Sequence, residues 1–223
     1  MIVAFDLEGT LVDAELFPAL GECNRRRPLL DDITDKAMRG ELDFSTSLGM
    51  RMELVHGMSI DTVRLVAESL SLSNGAMETV SEIRRLGGIP IIVTGGFDVL
   101  ANRVASLLGI EFVCCNRFVV ENGCITGITE PVVTAKGKAE KLLGLASWLG
   151  VKPDRCVAVG DGANDIHMMT VAGLSIAFNG RRKVCEVASV SIRENDLRMI
   201  LPYIKEFADL ESPMDREILV NQI

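Results

Sequence analysis

Ile2-Val3-Ala4-Phe5-Asp6-Leu7-Glu8-Gly9-Thr10 carries the first decision about the fold. Its apolar part has no polar residue at alternate positions, so neither face is made for water. A strand of that kind belongs inside a sheet covered on both sides. Asp6 follows at once, and a carboxylate directly after such a strand lies at its carboxyl end, where open α/β sheets place ligands. Taken alone, Asp6 reads as readily as a cap of the turn. Glu8 makes it a paired carboxylate, and Gly9 lets backbone approach a ligand closely.

Outward from this stretch, similar apolar runs recur at 89–93, 111–114, 156–159 and 174–178. Between them lie amphipathic helical patterns at 78–86, 98–108 and 138–149, each followed by Gly (Gly87, Gly109 and Gly150), the residue suited to a left-handed helix end. Strand–helix–strand alternation predicts an α/β fold with a doubly wound, mostly parallel Rossmann-like sheet. One interval breaks the alternation. Residues 32–39, 44–56 and 60–70 read as helices, with cap candidates at Asp43 and Ser59 and stops at Gly40 and Gly57. The expected organisation is a discontinuous core, 1–13 and 75–211, with a helical cap at 14–74 and a tail at 212–223. Glu121-Asn122-Gly123 between apolar residues predicts a small β-hairpin. Pro202 is expected to kink a final helical pattern at 197–207.

Composition narrows the function classes. The chain has 223 residues, 48% hydrophobic and only 4% aromatic, so it has enough material for an aliphatic core. Net charge is −8, and the only basic clusters are Arg25–Arg27 and Arg181–Lys183, which argues against nucleic acid as a partner. The N-terminus lacks the basic and long apolar regions of a signal peptide, and no run of about 18 apolar residues predicts a membrane span. Six cysteines without a C-x-x-C pair read as reduced, mostly buried thiols of a cytoplasmic protein. His56 and His167 read as structural, and Trp148 as core or partly exposed packing.

Three further pieces carry chemistry. Gly160-Asp161-Gly162-Ala163-Asn164-Asp165 follows the 156–159 strand and precedes an apolar helix. A polar turn with a helix cap is the alternative reading, but it does not account for two carboxylates and a carboxamide among glycines. Thr94-Gly95-Gly96 offers a hydroxyl and backbone amides suited to a phosphate, or is an ordinary strand–helix turn. Lys136 precedes the 138–149 helix, where a lone Lys is otherwise a solvated surface group. Asp6, Glu8, Asp161 and Asp165 would repel one another and any phosphate, and a divalent cation removes that conflict. Oxygen ligands without His or Cys favour Mg²⁺.

These pieces, in this order, resemble the four motifs of the haloacid-dehalogenase-like phosphatase superfamily. Within it, the stretch Ile33-Thr34 … Ala37-Met38-Arg39-Gly40-Glu41-Leu42-Asp43-Phe44 … Ser47-Leu48 … Arg51 is similar to the cap of the phosphoserine phosphatase branch. The resemblance implies a C1-type helical cap and a phosphoryl transfer from a small phosphorylated metabolite to Asp6, in serine biosynthesis. It implies Mg²⁺ held by Asp6, the main-chain carbonyl of Glu8 and Asp161, supported by Asp165. Thr94, with Gly95 and Gly96, and Lys136 would bind phosphoryl oxygens, with Lys136 also orienting Asp6 and Asn164 lying near the phosphate. Glu15 and Arg51 would meet the amino and carboxylate groups of phosphoserine, and Met38 and Phe44 would close over the nucleophile.

Two positions depart from the family. Glu8 stands where Asp is usual, as general acid to the leaving alkoxide and then base to the hydrolytic water. Its carboxyl lies about 1.5 Å further out, one C–C bond. Glu is also found here in a relative that moves phosphate from phosphoserine to homoserine, so water and another alcohol both stand as acceptors. Loss of turnover, leaving a phospho-ligand-binding module, is the remaining alternative. Thr94 replaces a Ser and keeps the hydroxyl.

Overall fold

The structure, a computed structural model, describes residues 1–209. The expected tail, 212–223, and the last two residues of the expected core lie outside them. Six parallel strands form one sheet in the order β3-β2-β1-β6-β7-β8. They are β1 (Ile2–Phe5), β2 (Ile89–Phe97), β3 (Phe112–Asn116), β6 (Cys156–Gly160), β7 (Leu174–Phe178) and β8 (Val190–Ile192). The short β8 has no counterpart among the sequence expectations, since three residues are too few for a pattern, and neither have two short helices at Leu16–Cys23 and Arg182–Cys185.

Every residue of β1 is buried, and its alternation has two apolar destinations. Val3 and Phe5 join the larger core, with α5 (Ala76–Arg85), α6 (Asp98–Leu108) and α10 (Leu201–Asp209). Ile2 and Ala4 face α7 (Ala135–Trp148), α8 (Ile166–Val171) and α9 (Arg182–Cys185). Helices on both faces are why the strand lacks a polar side. The chain winds one way through β1, β2 and β3 and the other way through β6, β7 and β8. The switch point therefore falls between β1 and β6, where an open sheet leaves a crevice at its carboxyl edge. Phe5 is level with Ile92 and Val159, so Asp6, Thr94 and Asp161 emerge from three adjacent strands at one edge.

Between β1 and α5 lie only helices: α1 (Leu16–Cys23), α2 (Arg27–Met38), α3 (Phe44–Val55) and α4 (Ile60–Ser69). Asp43 caps α3 by accepting from the Thr46 amide, and Ser59 caps α4 by accepting from Asp61. Each such cap contributes about 1 kcal/mol. The insert leaves and returns side by side: the Ser73 amide donates to the Leu11 carbonyl at 2.8 Å. The hairpin, β4 (Phe118–Glu121) and β5 (Cys124–Ile128), turns through Asn122 and Gly123, both at positive φ. It docks on the insert through Gly57 to Ile125, Ile125 to Met58 and Ile60 to Gly123 backbone bonds.

Some details differ from expectation. Pro202 lies in the first turn of α10, after a 3₁₀ turn at Leu197–Ile200, so it starts the helix instead of bending it. Trp148 is 72% exposed, edge-on to Phe112. All six cysteines are free, but only Cys156 is buried, and Cys23 is exposed. Among the described residues no helix is long and apolar enough to cross a membrane.

Candidate active site

Asp6 leaves β1 with its amide bonded to the Val159 carbonyl at 2.9 Å, which fixes it at the crevice. It is 3% exposed. Lys138 Nζ lies 2.8 Å from Asp6 Oδ1 and 2.5 Å from Asp165 Oδ1, with no exposed surface. Asp165 Oδ2 also accepts from the Asp161 and Gly162 amides, both at 3.1 Å, so the acidic loop is tied by its own last carboxylate. Gly9, at φ 76°, leaves room for Asp161: a Cβ there would come within 2.5 Å of its carboxylate.

The lysine is the one correction to the sequence-predicted site. Lys136 is exposed, and Lys138 takes the place expected of it. Thr134 caps α7, so the helix begins at Ala135 and both lysines are helical. Two residues on a helix are about 200° apart, so burying one turns the other to solvent. A signal existed: Lys138 lies on the apolar stripe with Leu142 and Ala146, four and eight residues on, and all three are buried.

A cavity of about 360 Å³ opens over this cluster. Asp6, Thr94, Gly95, Gly96 and Asn164 form its floor, and Glu15, Met38, Phe44 and Arg51 its roof, with Glu8 between. Every other candidate residue thus lines the cavity or, like Asp161 and Asp165, stands beside Asp6. His56 and His167 are exposed and do not line it. Phe44 lies against Gly95 and Met38 against Gly162, contacts that a Cβ on either glycine would obstruct.

Asn116, at the end of β3, had no sequence signal. It is 2% exposed; its Oδ1 accepts from the Val133 amide at 2.7 Å and its Nδ2 donates to the Gly95 carbonyl at 2.8 Å. It thereby fixes the Thr94 loop against the segment leading into α7. Neither tie is local in sequence. Phe17 was likewise unforeseen. The Arg51 guanidinium sits over its ring, 5.0 Å from the centroid, while Arg51 Nε donates to the Ser47 carbonyl. Phe17 packs edge-on against Phe97, which stacks on Phe118. Three of the eight phenylalanines thus support the arginine.

The electrostatics follow from crowding. Burial, then Asp165 and Asp6, hold the Asp161 carboxyl well above the usual range. Burial and Asp6 push Asp165 to about 6 despite Lys138. Burial lowers the Lys138 pKa, but Asp165 and Asp6 outweigh it and leave it above its ordinary value. Burial raises Glu8 to about 7, with the Leu16 amide, 2.6 Å from Oε1, pulling it back. Burial and Glu8 raise Glu15 to about 8, opposed by Arg51. Burial lowers the Arg51 pKa. Negative charge exceeds what Lys138 and Arg51 neutralise. Asp6, Asp161 and Asp165 offer oxygens within 4.8 Å of one another, and Asp161 Oδ1 is buried without a hydrogen-bond partner. An oxygen-only, over-acidic cluster with an orphaned acceptor fits a hard divalent cation.

The model of the haloacid dehalogenase-like hydrolase family matches residues 1–173, and the chain belongs to that family. Among curated relatives, the phosphoserine phosphatase of Methanocaldococcus jannaschii is 36% identical over 205 residues, 92% of this chain and 97% of that one. That of Idiomarina loihiensis is 35% identical over 206 residues, 92% and 94% of the two chains. Among solved structures, a phospho-aspartyl intermediate analogue of phosphoserine phosphatase superposes with a TM-score of 0.88 at 35% identity, covering 91% of this chain and 97% of the other. A substrate-bound phosphoserine phosphatase complex gives 0.88 at 34%, with the same coverage.

Proposed function

We propose that the protein is a Mg²⁺-dependent phosphomonoesterase that works through an aspartyl-phosphate on Asp6 and takes O-phospho-L-serine to serine and phosphate, a step of amino-acid biosynthesis in the cytoplasm. The observation that carries this reading is one cavity with Asp6 on its floor, backed by buried Lys138 and Asp165, and Glu15 with Arg51 on its roof. Phosphoserine needs both ends: cations for the phosphoryl group, and one anion and one cation for the amino acid. Arg suits the carboxylate because its planar fork can donate two bonds.

In this reading residues 14–74 are a cap over a core of 1–13 and 75–211. Asp6 attacks phosphorus, and the ester P–O bond breaks as Glu8 donates its proton to the leaving serine oxygen. Water then attacks the aspartyl-phosphate, passes a proton to Glu8, and frees Asp6 and phosphate. A group with a pKa of about 7 can serve in both directions near neutral pH. Glu8 finds room for its additional methylene over Gly96, where a Cβ would come within 2.5 Å of Oε2. Lys138 holds Asp6 in place and attracts phosphoryl oxygens, and the Thr94–Gly96 loop and Asn164 provide hydrogen bonds. Met38 and Phe44 exclude bulk water. Mg²⁺, held by Asp6, Asp161 and the Glu8 carbonyl with Asp165 behind, would shield the nucleophile's charge from the incoming dianion.

A panel of phosphomonoesters with and without Mg²⁺ tests the reading. Phosphoserine is expected among the best substrates, with turnover lost on chelation; a poor rate on phosphoserine beside good rates on other esters would remove the substrate assignment. Glu8 favours one second reading, transfer to another alcohol, because the acid-base group decides the acceptor. Added alcohols that capture the phosphate would establish it. A chain that binds phosphoserine but turns over no ester would be a binding module instead.

A further inference from the structure

The basic cluster Arg181–Lys183 has no role in the chemistry above. It lies just after β7, around the start of α9, and its neighbours explain its charge. The Arg181 amide donates to the Asp161 carbonyl at 2.8 Å, so its backbone is fixed to the acidic loop. Its side chain crosses to α2, where Nη2 meets Asp35 Oδ1 at 2.7 Å. Arg39, just past the end of α2, holds the other Asp35 oxygen at 2.6 Å. Two residues on, Lys183 Nζ donates to the Gly40 carbonyl at 3.0 Å, at the end of α2. Arg182, between them, points elsewhere and pairs with Glu186 at the end of α9. Both crossing contacts land on the segment that carries Met38 over the site.

We propose that Arg181 and Lys183 are positioning residues: a two-point electrostatic latch that holds the end of α2 against the acidic loop and so keeps the cap closed on bound substrate. The location matters more than the strength. Arg181 and Asp35 are each nearly half exposed, 47% and 43%, and such a pair is weak and screened by salt. A weak latch suits a lid that must also open to release product. Arg181 and Asp35 also line a second cavity, about 700 Å³, that shares Glu15, Thr34 and Met38 with the first and is otherwise lined mainly by α1, α2 and α4.

The test combines kinetics with a readout that needs no substrate, since the latch rests on the phosphatase reading only for its assay. Arg181→Ala should raise KM for phosphoserine about threefold and Arg181→Ala/Lys183→Ala about tenfold, with kcat within twofold and Tm unchanged. Asp35→Ala should match Arg181→Ala, and the double variant should be no worse than either alone. Arg182→Ala should behave as wild type. Hydrogen exchange at residues 35–41 should quicken in the Arg181/Lys183 variant. An unchanged KM, multiplying effects of Arg181→Ala and Asp35→Ala, an equal effect from Arg182→Ala, or unchanged exchange at 35–41 would each overturn the latch. A protein that is inactive on phosphoserine yet shows the exchange change would leave the latch standing and remove only the substrate.

Discussion

The floor and the roof of the cavity are built on different principles. At the floor, Asp6 is backed by Lys138 and Asp165: all three are at most a few per cent exposed and ion-paired through Lys138, with Asp6 directly after β1, Lys138 on the buried face of α7 and Asp165 closing the loop after β6. On the roof, Glu15 immediately precedes α1 and Arg51 lies on α3, in an insert that meets the core at the Leu11–Ser73 crossing, at the hairpin, through apolar packing such as Phe17 on Phe97, and at the exposed Arg181–Asp35 pair. The floor is a rigid charge cluster that must be correct before anything binds. In the proposed function the roof is the amino-acid clamp. Reaction type should therefore reside in the floor and substrate choice in the roof.

The largest break should come from Asp6→Asn. Turnover is expected to fall at least about a thousandfold with the fold intact, read by steady-state kinetics and circular dichroism. Near-normal turnover would end the covalent route and, with it, the division between floor and roof. Next comes the pair of lysines. Lys138→Met leaves two buried carboxylates without their cation and should cost about 3–5 kcal/mol of stability as well as most activity. Lys136→Met should change neither by more than about twofold, because its side chain is exposed. Denaturant melts and rates on both variants decide the matter, and equal losses would reverse the correction.

Roof variants should sort substrates without stopping the reaction. Arg51→Ala is expected to raise KM for phosphoserine about 10- to 100-fold, through loss of a buried charge-assisted pair, with little effect on an ester lacking the carboxylate. Equal effects on both esters would make Arg51 structural. The smallest effect is a pH dependence. Glu15 must be a carboxylate to hold an ammonium group, and its pKa is raised to about 8. KM for phosphoserine should therefore fall a few-fold as pH rises toward 8, and Glu15→Gln should flatten that slope. A slope that survives the substitution belongs to another group.

Local pattern made much of this legible. The unalternating Ile2–Phe5 run gave a central strand because a strand between two helical layers needs two apolar faces. The Gly160–Asp165 loop and Asp6 were readable as partners because both follow such strands, and parallel strands align their carboxyl ends. The helical interval stood out by its 3.6-residue period, and Asn122-Gly123 by its turn chemistry. Lys138 is marked by its position on the helical stripe and not by its distance from the motif.

The sequence by itself determined most of the strand and helix order, though not α1, α9 or β8, and it determined the oxygen-only acidic set and the helical insertion, because these depend on periodicity and on residues close in the chain. The tertiary structure decided which lysine is buried, where Asn116 sends its amide, how Glu8 fits over Gly96, and what the Arg181 cluster touches. Each of those contacts joins residues about 20 to 150 positions apart or depends on which face of a helix is covered. Packing alone selects among such partners.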